Sequence, residues 1–233
     1  ASTKRIFRKT FLLCFLVSDR LCQVFQPKGI FIMPDREVKT IQDLIFYQYA
    51  KIIAKSAMKT GDNETAKKNH YGFIKKTFRE LRDGKKSWSD ILREDLQFVE
   101  SDKACAYCGA TGIMTIDHII PKSLRLNDRC ATCDKIQGIH NIVYACKHCN
   151  SAKGDTGLYT FFNKLNGTVC DPDLIPPLLE KKYLKLMWCC HKCAGTLDAG
   201  DLNGDGRLDV LDIDAIISRG NGLTATPIRN QEN

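Results

Sequence analysis

Eight of the twelve cysteines in this 233-residue chain stand in four Cys-x-x-Cys pairs: Cys105/Cys108, Cys130/Cys133, Cys146/Cys149 and Cys190/Cys193. No other feature constrains the fold as strongly. Two thiolates on one tight turn reach a single tetrahedral ion, whereas disulfide frameworks rarely repeat one spacing. The pattern therefore points to zinc thiolates in a reducing compartment, and the expected location is cytoplasmic. A secreted disulfide protein is the alternative. It draws on the N-terminus, where a basic stretch (KRIFRK) precedes an apolar run (FLLCFLV) in the order of a signal peptide. That run is far too short to span a bilayer, and no membrane partner is expected. Residues 1–32 read as an extension of uncertain role, because MPDREVKT at Met33 has the look of a natural start.

The length allows one sizeable core or two small ones. With 43% hydrophobic and 27% charged residues the chain reads as soluble and globular, and its net charge of +8 favours a polyanionic partner. Charge alone does not choose nucleic acid over a membrane surface. Residues 33–102 read as a basic helical region. Val38, Ile41, Leu44, Ile45, Tyr49, Ile52 and Ile53 recur at helical spacing, which predicts a helix over 37–58. A second helix is predicted over 69–83 and a short third one from Ser89. Residues 51–86 hold eleven Lys/Arg against four Asp/Glu. A solvated helix face is the plain explanation, and a phosphate-facing surface the sharper one.

The knuckles Cys105/Cys108 and Cys146/Cys149 share a spacing and together make a closed four-cysteine site. Such a site is structural, since four protein ligands leave no position for substrate. Between them, Met114–Ile120 has strand composition, with Asp117 and His118 where the strand gives way to a turn. After a loop, Asn141 precedes a second strand, Ile142–Ala145. The stretch CNSAKGD then starts a helix expected to continue through Leu158, Tyr159 and Phe162. The expected fold class is thus α+β: a zinc-stapled ββα-metal module over 103–165, flanked by the basic N-terminal helices and a C-terminal helical segment over 166–233.

The elements DHIIP, HN and CN-x-x-K, set between and after two Cys-x-x-Cys knuckles, resemble the HNH endonucleases. The resemblance covers residues 103–162 and leaves the flanking helices unexplained. It implies hydrolysis of DNA phosphodiester bonds to a 5′-phosphate and a 3′-hydroxyl. His118 would be the general base, a suitable role for a neutral imidazole near pH 7. Asp117 and Asn150 would hold a catalytic divalent cation such as Mg²⁺, with water and phosphate oxygens completing the shell. Asn141 would hold the base imidazole in orientation, and Lys153 would contact phosphate. Plainer readings stand beside these: Asn150 as the N-cap of its helix, His140 as a turn residue, and His148 as a spare ligand in a filled knuckle.

Two features depart from that pattern. Cys130/Cys133 and Cys190/Cys193 either meet in a second four-cysteine site or are simply buried thiols. Residues 201–212, DLNGDGRLDVLD, place oxygens of Asp201, Asn203, Asp205 and Asp212 at the first, third, fifth and twelfth positions of an EF-hand-type calcium loop, with Gly206 sixth. The loop resembles those of dockerin-type modules, although the twelfth residue is Asp rather than Glu and the loop is unpaired. An Asp/Gly-rich turn is the alternative. The expected cofactors are therefore structural zinc, a catalytic Mg²⁺-like cation and calcium, and the expected partner is DNA. A zinc-dependent DNA-binding module without cleavage is the competing function. Oligomeric state and target sequence are not legible.

Overall fold

A computed structural model describes residues 35–58, 64–88, 103–124, 138–166 and 174–219. The extension 1–32, the short helix expected from Ser89 and the pair Cys130/Cys133 lie outside the described residues. The fold is α+β. Its helices are α1 (Ile41–Ala57), α2 (Glu64–Arg82), α3 (Lys147–Lys153), α4 (Leu158–Asn166), α5 (Pro177–Ala194) and α6 (Val210–Arg219); its strands are β1 (Met114–His118) and β2 (Ile142–Cys146).

Helix α1 starts where Thr40, in extended conformation, caps the Asp43 amide through its hydroxyl. Two more of its opening amides are taken by distant chain: Ile41 N–H donates to the Ala199 carbonyl at 2.8 Å and Gln42 N–H to that of Leu197 at 2.9 Å. Ile41, Leu44, Ile45 and Ala50 are fully or almost fully buried as α1 packs against α2, α5 and α6. Trp88 bridges to α5, its ring 5.7 Å from that of Trp188 and edge-on to Phe46 and Tyr49. The helix expected over 37–58 thus forms. The second begins five residues earlier than its apolar periodicity foretold, in the polar stretch at Glu64.

The cations of α2 largely turn on their own chain. Lys75 lies 3.0 Å from Asp35 and 3.1 Å from Glu37, and Arg79 forks onto Glu37. Arg82 approaches the same carboxylate at 3.7 Å. These pairs hold Glu37 down to about 2, chiefly through the Arg79 hydrogen bond. Much of the charge that the sequence offered to phosphate is therefore matched locally.

The two strands form an antiparallel hairpin in which Thr115 faces Ala145, Ile116 faces Tyr144, Asp117 faces Val143 and His118 faces Ile142. The first strand ends at His118, two residues short of the expected Ile120. Helix α3 lies on the Thr115/Asp117 face and touches both strands. The single helix expected to run on through Phe162 is two helices: α3 stops at Gly154, whose φ of 50° leaves the helical region, and α4 starts at Leu158. Gly157 sits in that break because a Cβ there would lie 2.3 Å from the carboxylate carbon of Asp214. Asp214, on α6, is buried and accepts from the Thr160 amide at 2.6 Å and the Tyr183 hydroxyl at 2.5 Å, tying α4, α5 and α6 together. Helix α5 also reaches the hairpin: the buried Lys182 ammonium donates to the Ile142 carbonyl at 3.0 Å.

Candidate active site and zinc clamp

The first knuckle is a tight turn. Cys105 N–H bonds to the Ala110 carbonyl and Gly109 N–H returns to that of Cys105, with Gly109 at a φ of 70° that favours glycine. The Ala106 amide donates to Tyr144, which docks the knuckle on β2. The second knuckle is the junction of β2 and α3: Cys146 is the N-cap, its sulfur accepting from the Cys149 amide. The sulfurs of Cys105, Cys108, Cys146 and Cys149 all lie within 4.8 Å of one another, and Cys108 and Cys146 are 3.9 Å apart. A tetrahedral zinc with Zn–S bonds of about 2.3 Å needs its sulfurs about 3.8 Å apart. The residues therefore fit a structural zinc. Electrostatics agree: hydrogen bonding from Cys149 draws the Cys105 thiol down to about 4, while the same contact pushes Cys149 up. The first anionic sulfur is favoured and further ones oppose it, a conflict that a bound dication removes. His148 is exposed and stands outside the four-sulfur group.

Adjacent residues of a strand direct their side chains to opposite faces. Asp117 accordingly points toward α3 and is 8% exposed, while His118 is half-buried on the outer face. The Asp117 carboxylate accepts from the Tyr107 hydroxyl at 2.5 Å and from the His118 amide at 2.8 Å, and Lys153 lies 3.6 Å from it. Asn150, one turn before Lys153 on α3, uses both amide hydrogens on β1, donating to the Thr115 hydroxyl at 2.9 Å and the Ile116 carbonyl at 3.2 Å. Its oxygen accepts no hydrogen bond among the described residues and is the atom left for a cation. Asn150 is not an N-cap, since it is the fourth residue of α3. Asp117 and Asn150 are thus brought to the same face of the hairpin, and their oxygen donors suit a hard cation.

The His118 ring makes no hydrogen bond among the described residues. Burial, with help from Lys122, holds its pKa below the usual histidine value, so the ring is mostly neutral at pH 7. Two expectations are corrected. Asn141 does not hold the imidazole: fully buried, its amide accepts from the Ile120 amide at 2.8 Å and donates to the Ile120 carbonyl at 2.7 Å, while its own carbonyl takes the Ile119 amide. It fixes the main chain just after His118 instead of the imidazole. Lys153 does not face solvent: its side chain is 0% exposed, and its ammonium donates to the His118 carbonyl at 2.8 Å. Desolvation lowers its pKa, and the Asp117 charge opposes that. It is an internal strut between helix and strand. His140 lies in a 3-10 turn, Ile139–Asn141.

Tyr107 is a residue that sequence reasoning missed. It sits between the first two cysteines, is buried, and bridges clamp to carboxylate. An aromatic inside a knuckle was the available signal. Thr115, which receives Asn150, was likewise unmarked.

The 201–212 loop closes on itself. Asp201 accepts from the Gly204 and Gly206 amides, Asn203 from that of Asp205, and the buried Asp212 from those of Leu202, Asn203 and Asp209. Among the described residues the four cysteines are the group whose Cys, His, Asp or Glu ligand atoms converge. Cys190 is buried and Cys193 half-buried on α5. No helix among the described residues is long and apolar enough to cross a membrane.

A knuckle-clamped hairpin followed by a short helix, with an Asp-His pair at the end of the first strand, defines a zinc-stapled ββα module. The family model described as HNH endonuclease matches residues 105–156, which span both knuckles, the hairpin and α3. Match and sulfur cluster together fit the HNH family and point to a nuclease-type, nucleic-acid-binding module. No curated protein and no solved structure matches the chain.

Proposed function

We propose that the module is a metal-dependent endonuclease that hydrolyses DNA phosphodiester bonds. One observation carries this reading: an unbonded, largely neutral imidazole follows directly on Asp117, whose carboxylate is held by Tyr107 and the His118 amide, while Asn150 on the facing helix keeps its amide oxygen unbonded among the described residues. His118 takes the proton of the attacking water. Asp117 is oriented by Tyr107, by the His118 amide and by Lys153. Asn150 presents its oxygen from α3, which lies on the same face of the hairpin, and Asn141 keeps the chain after His118 from shifting. A Mg²⁺-like cation on Asp117 and Asn150 would supply charge neutralisation at the phosphate. Lys122, exposed and near enough for its charge to act on His118, is better placed than Lys153 to meet a phosphate. Calcium plays no part in this reading, which concerns the ββα module alone.

Supercoiled plasmid with Mg²⁺ tests the proposal. Nicking is expected with the wild type, none after the divalent ions are chelated, and a loss of at least about a hundredfold with His118→Ala, the usual scale for a general base. Retained DNA binding with no nicking by the wild type under any divalent ion would favour a zinc-stapled binding module instead. Nicking that survives His118→Ala would remove His118 from the base role.

A further inference from the structure

The outer face of the hairpin is apolar and open. Ile116 is 59% exposed and Tyr144, its direct cross-strand partner, is 37% exposed. Helix α3 covers the opposite face. Large apolar side chains clustered in the open mark a contact surface more often than chance. What meets this one is constrained by its neighbour. His118 lies on the same face, two residues along β1 from Ile116, a separation of about 7 Å in a strand. On the nuclease reading, on which this inference rests, a phosphate reaches His118, and one nucleotide spans the distance to Ile116 and Tyr144.

The local charge suits that occupant. The Lys103 ammonium stands 5.6 Å from the centre of the Tyr144 ring. A single cation over a half-open ring is held weakly. An arriving phosphate draws the ammonium aside and leaves the ring to a base. Every base offers a π-face, so an aromatic platform binds single strands without regard to sequence. In a duplex those faces are hidden by neighbouring bases.

We propose that Tyr144, flanked by Ile116, is a stacking platform for an unpaired base beside the phosphate at His118, so that the favoured substrate is single-stranded, gapped or frayed at the cut. The test uses the full chain, zinc-loaded, carrying His118→Ala so that no cleavage occurs. Anisotropy is followed with a labelled single-stranded oligonucleotide and with the same sequence as a blunt duplex, at one salt concentration. Adding Tyr144→Ala is expected to weaken single-strand binding about tenfold, the scale of one lost base stack, and to change duplex binding by less than about twofold. Tyr144→Phe, which keeps the ring, should restore single-strand binding. Zinc content and circular dichroism confirm that each variant is folded. Equal loss on both substrates, or no loss on either, overturns the platform. The wild-type chain is assayed in parallel for cleavage of gapped and intact plasmid. If it cuts neither while binding stays Tyr144-dependent, the nuclease reading fails and the platform stands. If it cuts while Tyr144→Ala binds single strands normally, the platform fails alone.

Discussion

The hydroxyl of Tyr107 joins the metal clamp to the candidate site, so that placement of the Asp117 carboxylate depends on the knuckle being closed. Single side chains also set the protonation of the base. Burial, then the positive charge of Lys122, lowers the His118 pKa below its ordinary 6.5. On the proposed reading the neutral ring is the active form, so activity is expected to be flat near neutrality and to fall only as the pH drops through a midpoint below 6.5. Lys122→Gln removes a charge that disfavours the imidazolium, and the acid limb should move to higher pH. A pH profile of kcat/KM for both proteins checks this; a limb that stays in place or moves down would contradict the assignment. Lys153 illustrates the opposite use of a cation, since its buried ammonium bridges the His118 carbonyl and Asp117.

Among the elements, the break between α3 and α4 is the most exacting. A methyl group at position 157 would fall 2.3 Å from the Asp214 carboxylate, which is held from two sides by Thr160 and Tyr183. Gly157→Ala is therefore expected to cost about 1–3 kcal/mol by overpacking, measured by urea unfolding, with zinc content unchanged. Ser151→Ala, exposed on α3, should cost little. This break also shows what the sequence could reveal. Knuckle spacing, the Asp-His pair and strand periodicity are local signals, and they located the clamp, both strands and the start of α3. The partner of Gly157 lies 57 positions along the chain, beyond the range of any local pattern. Lys153 fails for a related reason: a lysine after CN reads as a surface cation, and only the packed helix shows its head turned inward. Asn141 was legible as important but not as a clasp on the Ile120 main chain, because nothing in its neighbours names the bond.

For the molecule as a whole, the helices and the sulfur clamp are two supports of one buried core, which holds Cys105, Cys149 and Tyr107 beside residues of α1 and α5. Both tryptophans of the chain, Trp88 and Trp188, lie in the aromatic cluster between α1 and α5. Removing zinc with a strong chelator is expected to abolish cleavage and open the hairpin, since metal binding by such sites contributes directly to folding. Tryptophan emission should stay near its folded maximum. A red shift that follows zinc loss would show instead that the two supports unfold as one. The core itself closes late in the chain: α1 receives carbonyls of Leu197 and Ala199, and the hairpin receives Lys182. A ribosome therefore releases residues 105–156 before the later segments that brace them exist, and during that interval the nascent hairpin has only its own ladder, its bonds to α3 and the sulfur clamp to hold its shape.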